Sequence, residues 1–406
     1  MFNRILFIIP IWLLLDSYFF QSLKTVTQSL SPSTRHTIHW AYWLFDLILI
    51  SVVLFLIFIN PKLLPQKYIF VVVSLVLLSL IPKLLILPFL LIEDLARAGD
   101  YVLHFKSYKH YPDRRKFVSQ LILGLSAIPF LSIIYGIYRG KYNYKIHRHT
   151  VTYTDLPDAF DGFTITQLSD IHCGSFTDRD AVQHGIALAN AQKSDLMVFT
   201  GDLVNNEAVE LDEWQIPFSK LRAPYGVYSI LGNHDYGDYT VWPSPEAKKA
   251  NLDRLKLMQK EMGFRLLLDE HVQLEKGGQM LNLVGVQNWG KSFARYGDLD
   301  KAMATVAKDT FTILLSHDPS HWEAQILPHA KPIHLTLSGH THGMQFGIEI
   351  PGFRWSAVKY LYHQWAGLYK KGKQFINVNR GFGFIGFSGR VGIWPEITVI
   401  TLKKKV

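Results

Sequence analysis

The chain has 406 residues, of which 49% are hydrophobic, and it carries a formal net charge of +9. That length allows two domains, and the hydrophobic share is high for a protein that is soluble throughout. The single cysteine, Cys173, excludes an internal disulfide, so the chain is not a disulfide-stabilised scaffold.

Four apolar stretches before residue 139 predict membrane-spanning helices. Each approaches the roughly 20 residues that cross a hydrocarbon core about 30 Å thick at about 1.5 Å per residue. The first stretch follows Arg4, as in a signal peptide, but no small-residue cleavage site comes after it, which favours a retained span. The four stretches are Ile5–Phe20, Trp40–Ile59, Tyr68–Ile92 (interrupted by Pro82, Lys83 and Pro88) and Phe117–Tyr138.

Two acidic residues, Asp16 and Asp46, lie within these apolar stretches. An ionised carboxylate is costly in a membrane interior, so one interpretation is a proton or ion pathway. The other interpretation is that each carboxylate lies near the end of a span or pairs with a group on another helix. The second is favoured, because no series of basic or polar residues continues a pathway.

Basic residues are concentrated beside the apolar stretches, in clusters at 106–116 and 139–148. This favours flanking charge, with some contact to anionic lipid headgroups, over nucleic-acid binding. Counts of Lys and Arg on the two sides of the membrane are nearly equal, and the dense cluster at 106–116 favours a cytoplasmic third loop. We therefore expect an integral protein of the inner or plasma membrane whose second half is extracytoplasmic.

From about residue 160 the pattern changes to short apolar stretches, each predicted as a strand and followed by polar residues. Helical patterns at Asp180–Gln192 and Lys248–Met262 alternate with them, which indicates an α/β fold. In open α/β sheets, ligands bind beyond the carboxyl ends of the strands. The five stretches are Phe163–Leu168 before Asp170 and His172, Leu196–Phe199 before Asp202, Val227–Leu231 before Asn233, His234 and Asp235, Phe311–Leu315 before His317, and Ile333–Leu337 before His340 and His342.

The side chains at these strand ends are carboxylates, amides and imidazoles, which are ligands of hard or borderline divalent metals. Gly201, Gly232 and Gly339 stand among them and fit sharp turns that let the backbone approach a site closely. No single fragment is specific. The ordered set, with every member at a strand end, predicts a metal site.

These motifs resemble those of the calcineurin-like metallophosphoesterase superfamily. They are Asp170-x-His172, Gly201-Asp202, Gly232-Asn233-His234-Asp235, His317 and Gly339-His340-x-His342. The first half resembles the branch described as transmembrane proteins with a metallophosphoesterase domain. The C-terminal segments resemble exported bacterial phosphodiesterases near the UDP-2,3-diacylglucosamine pyrophosphatases; they are Ala366–Tyr369, Val378–Gly381 and Pro395–Ile397. The resemblance implies an α/β fold, a four-layer αββα sandwich over residues 150–406, preceded over residues 1–149 by an α-helical membrane domain of about four spans.

The resemblance also implies two divalent metal ions that acidify a bridging water for attack on phosphorus. Mn²⁺ is the favoured ion, and Fe or Zn²⁺ are alternatives, since mixed N and O ligands suit all three. His234 would stabilise or protonate the leaving oxygen, with Asp235 orienting its ring. Asp202 would bridge the ions. The implied ligands are Asp170, His172, Asp202 and His342 for one ion, and Asp202, Asn233, His317 and His340 for the other.

Together these features predict a membrane-anchored phosphoesterase that cleaves a phosphodiester, phosphomonoester or pyrophosphate bond of a lipid-linked substrate, with phosphodiesterase as the favoured class. A Ser/Thr protein phosphatase is disfavoured, because Gly201-Asp202 continues without a phosphate-binding Arg. The alternative is a membrane transporter, sensor or lipid-binding protein with an inactive phosphoesterase-like domain, against which the intact ligand set argues. No nucleic acid is expected as a partner, and the sequence identifies no protein partner.

Two further features each have two interpretations. Cys173 follows His172 and is interpreted as a small buried side chain rather than a thiolate ligand. The glycine-rich segment Gly381–Gly389 carries Phe382, Phe384 and Phe387. These rings either belong to a buried strand and turn or line an apolar groove for an acyl chain.

Overall fold

The computed structural model describes residues 2–59, 64–104 and 112–405, and the side chains of residues 9–59, 64–104 and 114–405. The chain forms two compact units, one ending at Ile137 and the other beginning at Tyr138. The domain boundary expected between residues 149 and 150 stays a prediction; residue 150 lies within the first strand of the second unit.

The first unit consists of helices in its described residues. Three of them, α2, α3 and the part of α4 from Arg114, are long and apolar enough to cross a membrane. Helix α3 continues through Pro82 and Pro88, so the interruption seen in the sequence does not divide it. Residues 106–111 of the basic cluster lie outside the described residues. The helices are α1 Phe2–Thr27, α2 Pro32–Phe58, α3 Gln66–Leu103 and α4 Pro112–Tyr138.

A buried ionic cluster joins three of these helices. Lys83 of α3 contacts the carboxylate of Asp16 in α1, and its Nζ lies 3.1 Å from Oδ2 of Asp46 in α2. The hydroxyl of Ser79 donates to Oδ1 of Asp46 at 2.9 Å, and all four side chains are buried. The two carboxylates therefore pair between helices, which is the interpretation that the sequence favoured.

The second unit is built from strands with helices between them. Its helices are α5 Arg179–Asn190, α6 Gln215–Phe218, α7 Pro245–Glu261 and α8 Leu299–Ala302. Its strands are β1 Lys145–Tyr153, β2 Thr164–Leu168, β3 Leu196–Phe199, β4 Val227–Ser229, β5 Phe264–Leu266, β6 Glu270–Lys276, β7 Gln279–Gly285, β8 Thr312–Leu315, β9 Leu335–Ser338, β10 Gly347–Ile350, β11 Phe353–Ser356, β12 Gly367–Lys371, β13 Gln374–Val378 and β14 Glu396–Lys404.

The strands form two six-stranded sheets and a separate hairpin. The first sheet has the order β1-β14-β2-β3-β4-β5, the second has the order β12-β13-β9-β8-β7-β6, and β10 pairs with β11. Strands β2, β3 and β4 are parallel, as are β8 and β9. The five strands predicted from the sequence therefore form two parallel sets, one in each sheet.

Side-chain alternation along the strands produces four layers. Val198 of β3 and Leu283 of β7 lie in the apolar core between the sheets. Their neighbours point to the opposite faces, as the period of two requires. Phe199 packs with residues of α5 and α7, and Val284 packs with residues of α8 and the turn Trp322–Ile326. Helices thus cover both outer faces, and the αββα arrangement is confirmed.

The glycine-rich segment near the C terminus is a buried turn. Residues 381–389, all of them described, form neither helix nor strand. Phe382 and Phe384 are buried in the core outside the first sheet, where Phe382 contacts the rings of Phe176 and Phe218. Phe387 is buried as well. The rings therefore form core rather than a groove for an acyl chain.

Candidate metal centre

The polar residues that follow the five predicted strands come together at the carboxyl ends of the two sheets. Two groups form, and within each group the candidate ligand atoms all lie within 4.8 Å of one another. One group follows β2 and β9 and the other follows β3, β8 and β9. The groups are Asp170, His172 and His342, and Asp202, His317 and His340.

The backbone at these positions is unusual. Several of the residues have a positive φ, a conformation that is uncommon outside glycine and that clusters at functional sites. The residues with this backbone are Asp170 (φ 51°), His172 (48°), Asp202 (62°), His340 (71°) and His342 (51°).

Glycine permits the close approach of two of these turns. Gly201 has a φ of 97°, and a Cβ there would meet the backbone nitrogen of Gly232 and Nδ1 of His317. A Cβ on Gly232 would in turn collide with the carboxylate of Asp202. The side chains can therefore converge only because neither position carries a side chain of its own.

In the first group, three ligand atoms face a common point. Nε2 of His172 lies 3.1 Å from Nε2 of His342. That same atom of His342 lies 3.2 Å from Oδ1 of Asp170. All three side chains are buried. Two imidazole nitrogens and a carboxylate oxygen at such spacing form a mixed N and O donor set of the kind that divalent metals take.

Asp202 links the first group to the second. Its Oδ2 atom lies 3.6 Å from Nε2 of His172 and 3.1 Å from Nε2 of His317. Its other oxygen, Oδ1, accepts the backbone N–H of His234 at 2.8 Å. One carboxylate oxygen is therefore held between the two groups, which is the position a bridging ligand must occupy.

Asn233 completes the second group. Its Oδ1 lies 2.9 Å from Nδ1 of His340, while its Nδ2 donates to the hydroxyl of Tyr239 at 2.9 Å. Nε2 of His340 lies 2.9 Å from the hydroxyl of Tyr362. The outer partners thus orient the amide oxygen and the imidazole Nδ1 toward the same space, as outer partners of metal ligands do.

The surroundings of His317 show whether a cation would fit in the second group. The Nδ1–H of His317 donates to the carbonyl oxygen of Thr200 at 2.7 Å, so Nε2 is the ring atom that faces the Asp202 carboxylate. That buried Nε2 has no hydrogen-bond partner among the described residues. Burial alone would lower the pKa of His317, but the Asp202 carboxylate outweighs it and raises the pKa to about 10. The Asp202 carboxylate therefore favours a positive charge at this point, which either a proton on Nε2 or a bound divalent cation would provide.

The protonation states of the other residues also fit a metal. Burial would raise the pKa values of Asp170 and Asp202, but neighbouring histidines hold both below the ordinary range. Burial lowers the pKa values of His172 and His340. At neutral pH the carboxylates are therefore ionised and these imidazoles neutral, as metal binding requires.

His234 lies beside the first group without belonging to it. Its ring centroid is 4.9 Å from that of His172. Its Nδ1–H donates to the carbonyl oxygen of Asn205 at 2.8 Å, so Nε2 carries the free lone pair. Burial lowers the pKa of His234.

The expectation that Asp235 orients the ring of His234 stays a prediction; the contact of that ring at Nδ1 is with the carbonyl oxygen of Asn205. The buried carboxylate of Asp235 accepts backbone N–H groups of the turns that carry Asp202 and Asn233. Burial raises its pKa to about 7. The donors are Asp202 at 2.9 Å, Leu203 at 2.8 Å, Val204 at 3.3 Å and Gly232 at 2.9 Å.

Three residues around the centre were not found from the sequence. Tyr362 and Tyr239 contact His340 and Asn233, and the guanidinium of buried Arg390 donates to Nδ1 of His342 at 3.2 Å. Of these three residues, only Tyr239 could have been suspected from the sequence, because it follows the motif at 232–235 by four positions. Cys173 is buried, as interpreted, and its Sγ contacts the carbonyl oxygen of Glu210.

The two halves of the chain match two families. Residues 3–141 match the family described as probable calcineurin-like phosphoesterase, transmembrane domain. Residues 163–344 match the calcineurin-like phosphoesterase family. Among solved structures, a Thermus thermophilus sulfate thiohydrolase, SoxB, aligns with a TM-score of 0.35 and 14% identity, covering 61% of this chain and 57% of that chain.

Two curated relatives are similar over most of this chain. The uncharacterized metallophosphoesterase YkuE of Bacillus subtilis is 31% identical over 274 residues, which cover 66% of this chain and 89% of that protein. A transmembrane protein with metallophosphoesterase domain from Danio rerio is 28% identical over 294 residues, 70% of this chain and 63% of that protein. The match thus spans less than two thirds of the zebrafish protein. The chain is an integral membrane protein that belongs to the calcineurin-like metallophosphoesterase family.

Proposed function

We propose that the chain hydrolyses a phosphodiester bond of a lipid-linked substrate with two divalent metal ions, preferably Mn²⁺. The observation that carries the proposal is the position of Asp202 Oδ2, 3.6 Å from His172 and 3.1 Å from His317. A carboxylate shared in this way offsets the repulsion between two neighbouring cations.

Each ion would have four protein ligands. Bound divalent ions supply Lewis acidity toward a phosphoryl oxygen and lower the pKa of water. The residues of the chain fix where that chemistry happens, because their turns are held rigidly by backbone hydrogen bonds. The proposed ligands are Asp170, His172, Asp202 and His342 for one ion, and Asp202, Asn233, His317 and His340 for the other.

His234 is proposed to handle the leaving group. Its Nδ1–H donates to Asn205, so Nε2 is the ring atom that would take up a proton and pass it to the departing oxygen. Asp235 is proposed as a positioning residue, because its carboxylate fixes the turns of Asp202 and Gly232 without touching the ring of His234.

The membrane helices support a lipid-linked substrate, since an anchored enzyme meets membrane-bound molecules at high local concentration. We further propose an inner or plasma membrane location with the second unit extracytoplasmic. The sequence supports this through the basic cluster at 106–116 beside a predicted span.

Chelation of the purified full-length protein in detergent tests the proposal. Hydrolysis of bis(p-nitrophenyl) phosphate should disappear after EDTA treatment and return with Mn²⁺, and it should exceed hydrolysis of p-nitrophenyl phosphate and of pyrophosphate. The Asp202→Asn variant should stay inactive when Mn²⁺ is added. Turnover that survives chelation, or an active Asp202→Asn variant, would exclude the proposed site.

A further inference from the structure

The hairpin β10–β11 exposes an apolar face. The pairing sets Ile348 opposite Trp355 and Ile350 opposite Phe353. Directly paired residues share one face of an antiparallel ladder, so this face carries four apolar side chains and no polar one. Ile348, Ile350 and Phe353 are between 50% and 59% exposed. An apolar face of this kind is unusual on a surface in contact with water.

The other face of the same hairpin carries Glu349, which is partly buried against the protein, and Arg354, which is exposed. Glu349 accepts a hydrogen bond from Nη2 of Arg380 at 2.6 Å, and Arg380 is only 2% exposed. The guanidinium of Arg354 lies over the ring of Trp365, 5.0 Å from its centroid. A hairpin in water normally buries its apolar face and solvates its polar face. Here Ile348, Ile350 and Phe353 are exposed while Glu349 pairs with a buried arginine, which favours a nonaqueous environment for the apolar face.

Neighbouring turns extend this face. Met344 is half exposed in the turn His342–Gln345, which contacts the turn Ala357–Tyr360. Tyr360 and Leu361 are 73% and 75% exposed. The apolar surface is defined here by its exposed members, which are Met344, Ile348, Ile350, Phe353, Tyr360 and Leu361.

The apolar surface borders the metal centre at two points. Met344 lies two residues after His342 in the same turn. Leu361 precedes Tyr362, whose hydroxyl lies 2.9 Å from Nε2 of His340. A molecule held on the apolar surface therefore lies next to the candidate ligands.

A lipid bilayer fits this surface. Only six residues, 139–144, separate the end of α4 from the start of β1, so a short segment joins the second unit to a helix that is long and apolar enough to cross a membrane. Within residues 342–365 the only acidic residue is Glu349, which Arg380 neutralises, while Arg354 and Lys359 are exposed. An apolar surface bordered by cations suits the acyl–headgroup boundary of a membrane that contains anionic lipids.

We propose that the apolar surface inserts into the headgroup–acyl boundary of the bilayer and presents a lipid-linked phosphoester to the metal centre. The insertion stands on the geometry of the hairpin. The presentation of a substrate rests on the proposed function.

Spin labelling tests the insertion independently of catalysis. Cys173 is buried, so a cysteine introduced by Ile350→Cys is the one that takes the label. The full-length protein is placed in vesicles of phosphatidylcholine and phosphatidylglycerol. We expect the label to collide readily with oxygen and rarely with a water-soluble nickel chelate. Leu257→Cys on α7, where Leu257 is 54% exposed, is the matched control and should be open to the nickel chelate.

Other results for the Ile350→Cys label would overturn the insertion. Ready collision with the nickel chelate would place the hairpin in water. Poor collision with both reagents would place it in a protein contact, and a dependence on protein density in the vesicles would identify that contact as a second copy of the chain.

Kinetics test the second half of the proposal. Two substrates are compared, phosphatidyl p-nitrophenol in vesicles and bis(p-nitrophenyl) phosphate in solution. In the double variant Ile350→Ser, Phe353→Ser, the ratio of kcat/KM for the vesicle substrate to that for the soluble one should fall about tenfold, which corresponds to the loss of roughly one buried apolar side chain. Leu257→Ser should leave the ratio unchanged.

The two proposals can fail separately. An unchanged ratio in the double variant would reject the presentation of lipid. Absence of turnover on both substrates in the wild-type protein would reject the proposed function, and the spin label would still decide whether the hairpin inserts.

Discussion

At the scale of single residues, His234 is held beside the candidate metal centre by contacts of its backbone N–H and its Nδ1 atom. The Nδ1–H donates to Asn205, and the backbone N–H donates to Asp202. We expect His234→Ala to lower kcat by about 10²–10⁴, the usual contribution of a positioned proton donor, while the metal content stays unchanged. Elemental analysis of the purified variant beside steady-state kinetics checks this. Loss of metal would instead make His234 part of the ligand set.

Asp235 differs from His234 because it acts on the backbone. Its carboxylate accepts N–H groups from four residues, and an amide in its place would direct N–H against N–H. Asp235→Asn should therefore cost about 1–3 kcal/mol of stability, as expected for a buried hydrogen-bonded group that loses a partner. Thermal unfolding of the full-length protein measures it. Asp178→Asn, which keeps an N-cap acceptor on α5, should leave the Tm unchanged; equal effects would argue against the role given to Asp235.

At the scale of elements, the turn after β4 must pass close to the turn after β3. A Cβ on Gly232 would meet Oδ1 of Asp202, so Gly232→Ala should displace the Asp202 carboxylate and thereby weaken metal binding. A loss of at least about tenfold in metal affinity, roughly 1.4 kcal/mol, is expected from competition titrations with a chelator. Gly124→Ala in α4 adds the same methyl group where nothing lies within 4 Å, and its affinity should match the wild type. Normal affinity in Gly232→Ala would mean that the turns can move apart.

The packing of helices α1, α2 and α3 involves the buried ammonium group of Lys83. Lys83 compensates Asp16 and Asp46 in buried surroundings, so Lys83→Met leaves two carboxylates without a counter-charge. Breaking a buried pair in this way typically costs about 3–5 kcal/mol. Thermal unfolding in detergent should show the loss, whereas Lys67→Met at the exposed start of α3 should show little. Full stability of Lys83→Met would indicate that the carboxylates are protonated and need no partner.

At the scale of the whole molecule, much of the candidate site could be predicted because each candidate ligand follows an apolar stretch that forms a strand. Strand identity and ligand order are local properties of the sequence. The contacts of Tyr362 and Arg390 could not be predicted, since they join residues that lie far apart in the chain. The partner of Asp16 and Asp46 was missed for the same reason, because Lys83 interrupts an apolar stretch in the sequence and completes an ionic cluster in the fold.

The hairpin β10–β11 shows where sequence periodicity misleads. Ile348 and Ile350 alternate with Gly347 and Glu349, a pattern that normally predicts a strand with its apolar face in the core. In the structure that face points outward, while Glu349 on the other face pairs with buried Arg380. Period and strand type are local properties of the sequence, but the orientation of the two faces involves a contact between residues that are 31 positions apart.

The placement of the two candidate ligand groups has a consequence for the resistance of the second unit to local unfolding. Each group draws side chains from both sheets: Asp170 and Asp202 follow strands of the first, and His342 and His317 follow strands of the second. An ion in either group would fasten one layer to the other, as a disulfide does in proteins that contain two cysteines. Removing the ions should therefore make the second unit easier to open and to digest. Limited proteolysis should cleave the second unit faster in the presence of EDTA than in its absence. Equal rates would show that the apolar core alone holds the two sheets together.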